Sequence, residues 1–129
     1  MEKRGLPRPT DAELAILRVL WDEGPCTVRR VRESLGRSQP TGYTTALKLL
    51  QIMAEKGLVD RDESRRSHVY RARLAEGETQ RQLVDDLMER AFGGSAQRLV
   101  IRALESKRAT PEELDAIRRL IDELGGEKA

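Results

Sequence analysis

Six side chains in the stretch "TGYTTALKLLQIMAEKG", residues 41 to 57, could do chemistry of one kind. Thr41, Tyr43, Thr44, Thr45, Lys48 and Gln51 offer hydroxyls, an amide and a single ammonium group. A solvated helix surface would instead carry paired Glu and Lys at i, i+4, and each Glu would repel a phosphate. Short hydroxyl and amide groups can approach base edges and phosphates closely, and a threonine methyl can meet the methyl of thymine. Tyr43 fits two roles equally, stacking on the edge of a core or donating to phosphate. Arg37 just before the stretch, and Arg65, Arg66 and His68 after it, add groups suited to phosphate oxygens. If about five phosphates were neutralised per subunit, affinity would fall steeply with salt, with a log-log slope near −0.9 for each.

Other chemistry has little support. His68 stands alone beside two arginines, no Gly-rich phosphate loop is present, and no Ser or Cys nucleophile signature occurs. No catalytic residues are therefore expected. The acid pairs Asp85-Asp86 and Glu112-Glu113 read as solubility, the second also favouring a helix N-terminus. One cysteine, Cys26, and one histidine assemble no zinc or copper ligand set, so no metal or cofactor is expected. Cys26 reads as a buried apolar thiol.

The elements that must position the polar face are legible from periodicity and caps. Thr10-x-x-Glu13 is a capping box that opens a first helix over Thr10 to Asp22, with Leu14, Ile16, Leu17, Leu20 and Trp21 as its apolar stripe. Gly24-Pro25 ends it. Thr27 caps a short second helix with Val28, Val31 and Leu35 inward and Arg29, Arg30 and Arg32 outward, and Gly36 stops it. The third helix is the 41–57 stretch, with Ala46, Leu47, Leu50, Met53 and Ala54 turned to the core and Gly57 as a left-handed cap. "LVDRDESRRSHVYRARL" then changes period and reads as a β-hairpin with a basic tip.

Beyond it, Leu83, Val84, Leu87, Met88, Ala91 and Phe92 repeat at helical spacing up to Gly93-Gly94. Ser95 caps "AQRLVIRAL", and Thr110, Pro111 and Glu113 open a last helix bearing Leu114, Ile117, Leu120, Ile121 and Leu124. The fold class is mainly α with a small β-hairpin. Three helices and a hairpin over residues 1–75 have the order of a winged helix-turn-helix, in which the third helix enters the major groove and the wing lies against the backbone or the adjacent minor groove. Residues 76–129 form a second, helical domain.

The totals agree. The chain has 129 residues, of which 3% are aromatic and 36% charged, so one copy would have a thin core and a partner chain is expected. Residues 1–75 hold 15 Lys+Arg against 10 Asp+Glu, +5, and residues 76–129 hold 9 against 12, −3. A basic first part suggests a polyanion partner for that part alone. No apolar run reaches the roughly 20 residues that cross a bilayer, and "MEKRGLPRPTDAEL" lacks the apolar stretch of a signal peptide, so a cytoplasmic protein without membrane insertion is expected. The competing reading is a winged-helix module whose polar helix docks on another protein without sequence-specific DNA binding. A small-molecule-sensing regulator is a third.

In "LPRPTDAELAILRVLW", in "GYTTALKLLQIMAEKGLVDRD" with "HVYRA", and in "FGGSAQRLVIRALE" followed by "TPEELDAIRRLIDEL", the sequence resembles the penicillinase repressor (BlaI/MecI/CopY) family of winged-helix transcriptional regulators across nearly its whole length. The resemblance implies a homodimeric repressor whose winged helices bind an inverted-repeat double-stranded DNA operator and whose C-terminal helices form the dimerisation domain. Two copies burying Leu83, Leu87, Phe92, Leu99, Val100, Leu104, Leu114, Ile117 and Leu120 would supply the missing core. The resemblance also implies a regulatory protease that cuts within the helix matching "LVIRALE". The family's asparagine–phenylalanine bond corresponds here to Arg102-Ala103, a departure. Copper-responsive relatives carry a cysteine-rich tail, whereas this chain ends "GGEKA", and Ile52 stands where the family often has a basic residue.

Overall fold

Each of the first two helices starts where a hydroxyl can satisfy an otherwise orphaned backbone N–H. The computed structural model describes residues 7–36 and 39–126, in the order α1 (Asp11–Glu23), β1 (Cys26–Thr27), α2 (Val28–Leu35), α3 (Tyr43–Lys56), β2 (Val59–Asp62), β3 (Val69–Ala72), α4 (Glu76–Ala91), α5 (Ala96–Glu105) and α6 (Pro111–Gly126). At α1 the Glu13 N–H donates to Thr10 Oγ1 at 3.2 Å and the Thr10 N–H to Glu13 Oε1 at 2.9 Å, the two halves of the expected capping box. Thr27 Oγ1 accepts from the Arg30 N–H at the start of α2.

The chain divides into two compact units, Met1–Leu83 and Val84–Ala129. In the first, α1, α2 and α3 enclose Ile16, Leu17, Leu20, Val31, Leu35, Ala46, Leu50 and Met53, and the sheet closes the core with Leu58, Val59 and Tyr70. The division falls inside α4, later than the Ala75/Glu76 step at which the charge balance changes sign. Thr79 and Gln82 are buried, so the opening turns of α4 travel with the winged helix.

The sheet has one strand more than the expected hairpin. β2 and β3 pair antiparallel with Val59 opposite Ala72 and Asp62 opposite Val69, and β1 adds on the far side of β3 with Cys26 opposite Tyr70 and Thr27 opposite Val69. Two residues carry no alternation, so only the partner strand identifies β1. Cys26 is buried as expected, and its Sγ donates to the Gly24 carbonyl at 3.2 Å. Burial, with Glu23 nearby, pushes its thiol up in pKa, which favours the protonated form.

The start of α3 also differs. The helix begins at Tyr43 with Gly42 as its cap, and Thr41 lies in the preceding turn, where its Oγ1 donates to the Gln39 carbonyl at 2.9 Å. The far end of α3 is as expected. Gly57 takes φ 86, its N–H reaches the Ala54 carbonyl and the Leu58 N–H reaches the Met53 carbonyl, the bond pair of a Schellman turn.

Glu13 joins both ends of this arrangement. Only 3% exposed, its Oε1 accepts from Lys56 Nζ at 2.7 Å as well as from Thr10, tying the start of α1 to the last turn of α3. Burial raises the carboxyl pKa, but the hydrogen bonds from Lys56 and the Thr10 backbone and the Lys56 charge outweigh it and hold the group below its ordinary value. A carboxyl lowered in the folded state contributes stability that is complete above its unfolded pKa and is lost as pH falls through the folded one. Lys56→Met should therefore cost about 1–2 kcal/mol near neutral pH, moderated because the Lys56 side chain is one-third exposed. Urea titrations should show the gap between wild type and Glu13→Gln shrinking as pH falls from the ordinary glutamate value of 4.5 through the lower value of the folded state. A constant gap would refute the linkage.

Candidate nucleic-acid interface

α3 is anchored by three side chains and presents the opposite face. Ala46, Leu50 and Met53 have no measurable exposure, which fixes the rotation of the helix about its axis. That rotation turns Thr44, Thr45, Lys48 and Gln51 to solvent, and Tyr43 is 51% exposed at the first helical position. Tyr43 therefore stands clear of the core. Thr41 is half-buried, its carbonyl also receives Arg32 Nε at 3.3 Å, and it shapes the entry to α3.

The N-terminus of α3 is unlike those of its neighbours. Thr10, Thr27, Ser95 and Thr110 each cap a helix with a hydroxyl, whereas Gly42 supplies no side-chain hydrogen bond. Among the described residues no side chain accepts from the first-turn N–H groups of α3, which lie at the positive end of the helix dipole, a favourable place for a phosphate.

The turn between β2 and β3 is shaped by its acids and leaves its cations open. Asp62 Oδ1 accepts the Ser64 N–H at 2.9 Å, and Arg61 pairs with Glu63. The Ser64 backbone bond, then the Ser64 side chain, hold the Asp62 carboxyl below its ordinary value, with Arg65 and Arg71 adding to the effect. Arg65, Arg66 and His68 are exposed there. Among the described residues neither Lys48, Arg65 nor Arg66 makes an ion pair, whereas Arg30 holds Glu23 and Arg71 and Arg73 hold Asp60. The arginines thus sort into those that brace the fold and those that face outward.

A cleft of about 490 Å³ runs between the turn, α2 and the start of α3, lined by Arg29, Tyr43, Arg66 and His68 among others. It brings together three of the groups singled out in the sequence, Tyr43, Arg66 and His68, and adds Arg29 to them. Of the outward arginines of α2, Arg30 is engaged by Glu23, Arg32 by Thr41, and Arg29 opens on this cleft. Arg29 had no distinguishing mark in the sequence, since all three fall on the polar side of the same helix. Arg37 lies outside the described residues. The face as a whole offers hydroxyls, an amide, backbone N–H groups and unpaired cations, a set suited to a polyanion with hydrogen-bonding edges.

The helices of the second unit have no buried residue in a single copy. α5 and α6 expose Val100, Ile101, Leu114, Leu120, Ile121 and Leu124, and Val84 and Leu87 of α4 are open too. Of the other residues expected to dimerise, Leu83, Phe92, Leu99, Leu104 and Ile117 are half-buried. Arg102 and Ala103 are exposed in the third turn of α5, where Arg102 Nη1 donates to Glu105 Oε1 at 2.7 Å. Among the described residues no group of three or more His, Cys, Asp or Glu could hold a metal ion, and no helix is long and apolar enough to cross a membrane.

Known proteins are similar to this chain in sequence and, over its first part, in fold. The family model described as penicillinase repressor matches residues 9–123. The transcriptional regulator BlaI of Mycobacterium tuberculosis is 36% identical over 125 residues, covering 92% of this chain and 86% of that protein. The penicillinase repressor of Bacillus licheniformis is 21% identical over 118 residues, covering 92% of each. Among solved structures, the DNA binding domain of the repressor BlaI aligns with a TM-score of 0.50 at 24% identity, over 60% of this chain and 93% of that one. The monomeric form of Bacillus licheniformis BlaI in complex with the blaP half-operator aligns with the same values. At that identity the likeness concerns the fold, and it identifies the three helices and hairpin of the first unit as a winged helix.

Proposed function

This chain belongs to the penicillinase repressor family, and from that membership we propose that it is a dimeric transcriptional repressor whose winged helices bind an inverted-repeat operator in double-stranded DNA. The observation that carries the reading is the open face of α3: Thr44, Thr45, Lys48 and Gln51 turned outward by three fully buried residues behind them. α3 enters the major groove and these side chains meet base edges, while Tyr43, the N–H groups of its first turn, Arg65, Arg66 and His68 hold phosphates. Arg29 joins them through the cleft it shares with Arg66 and His68. Thr41 shapes the entry to α3, and Arg37 is included on its sequence position alone as a further phosphate contact. The relative solved on a half-operator supports the half-site geometry in which one winged helix reads one arm.

The first unit is assigned to DNA and the helices from the middle of α4 onward to dimerisation. The apolar side chains of α4, α5 and α6 that a single copy leaves open would be covered by a second copy through a two-fold interface. Repression would then follow from occupancy of a promoter in the cytoplasm. Arg102-Ala103 is the candidate bond for a regulatory protease. The bond sits within a helix, so cleavage requires α5 to open, and α5 has no buried residue to oppose opening in a separated copy.

Selection of bound fragments from a genomic library tests the reading. The expected result is enrichment of a short inverted repeat that the full chain shifts in a mobility assay. If the chain is instead a protein-docking module, material retained from lysate survives nuclease treatment and no repeat is enriched.

A further inference from the structure

The open face of α3 carries one apolar side chain that no role described above employs. Ile52 is 37% exposed, while the other aliphatic side chains of α3, Leu47, Leu49, Leu50 and Met53, are buried or half-buried. It is not part of the core. It lies four residues beyond Lys48 and seven beyond Thr45, and those spacings return to the same face of a helix. Thr45, Lys48 and Ile52 therefore form one row, with the ammonium group in the middle and a methyl-bearing side chain at each end.

This inference rests on the reading of α3 as the groove-reading helix. In a major groove a branched aliphatic side chain has one favourable partner, the 5-methyl group of thymine, because the remaining base edges present hydrogen-bonding atoms that it would desolvate without satisfying. We propose that Ile52 is a specificity-determining residue that packs on a thymine methyl in each operator arm. Seven residues of helix rise about 10.5 Å, which is close to three base-pair steps of about 3.4 Å. Ile52 thus selects thymine about three base pairs from the pair faced by Thr45. Cytosine there is disfavoured, because its amino group would lose water and gain no acceptor.

Deleting single methyl groups from the DNA tests this. Mobility-shift titrations of the full-length chain would use the enriched operator and duplexes in which each thymine in turn is replaced by uracil. For the wild type, one thymine in each arm should cost about fourfold in affinity when its methyl is removed, the effect of one buried methyl group. In Ile52→Ala that cost should vanish at this thymine alone, while a loss at a second thymine about three base pairs away remains and is removed by Thr45→Ser. Thermal melting of Ile52→Ala should match the wild type, since an exposed side chain is being shortened. Unchanged uracil sensitivity in Ile52→Ala, or a tight operator indifferent to every uracil, overturns the assignment and leaves the repressor reading standing. Failure of the wild type to bind any fragment overturns both.

Discussion

Lys48→Ala should weaken operator binding roughly ten- to a hundredfold while leaving the fold intact, because Lys48 is exposed, stands mid-face on α3 and makes no ion pair among the described residues. The loss should be larger for the operator than for unrelated DNA of equal length, the mark of a base contact. The double replacement of Arg65 and Arg66 by alanine should behave differently. It removes two cations that face outward from the β2–β3 turn, so it should weaken operator and unrelated DNA alike and flatten the plot of log affinity against log salt by about two units of slope. Salt titrations by mobility shift or fluorescence anisotropy separate the two outcomes. Wild-type affinity and slope in both variants would remove the basis for assigning this face to DNA.

The second large effect is expected far from α3. Leu120 is 53% exposed on α6, a helix with no buried residue of its own. Leu120→Glu keeps a good helix former but places a carboxylate where a second copy would have to bury it. Sedimentation should then report single copies at micromolar concentration in place of a dimer. Losing the tether between two winged helices should lower affinity for an inverted repeat by about a hundredfold or more and leave half-site affinity nearly unchanged. A Leu120→Glu protein that still sediments as a dimer would move the interface elsewhere.

The features legible in the sequence are those whose hydrogen bonds close within three or four residues. Thr10 with Glu13, Thr110 with Glu113, and the turn at Gly57 all stand where the caps and breakers placed them. The polar face of α3 was legible for a related reason, since the apolar period that buries Ala46, Leu50 and Met53 fixes what must face away. The missed features depend on partners distant in the chain. β1 exists because Cys26 and Thr27 meet Tyr70 and Val69, and Glu13 is buried because Lys56 reaches it from another helix. The different fates of Arg29, Arg30 and Arg32 turn on Glu23, Thr41 and the cleft by the wing, none of which leaves a trace in local spacing. Thr41, whose residue type fits the polar face of α3, lies ahead of the helix, which starts at Tyr43, and its hydroxyl donates to the Gln39 carbonyl, a contact that helical spacing does not mark.

The lack of any buried residue in α5 and α6 has a bearing on abundance in the cell. If a second copy covers these helices as proposed, their stability would depend on mass action and would rise as copies accumulate. The head keeps its own core and needs no such help. On the proposed pairing, scarce copies would leave these side chains uncovered and abundant copies would cover them, so the ability to hold both arms of a site would rise with concentration.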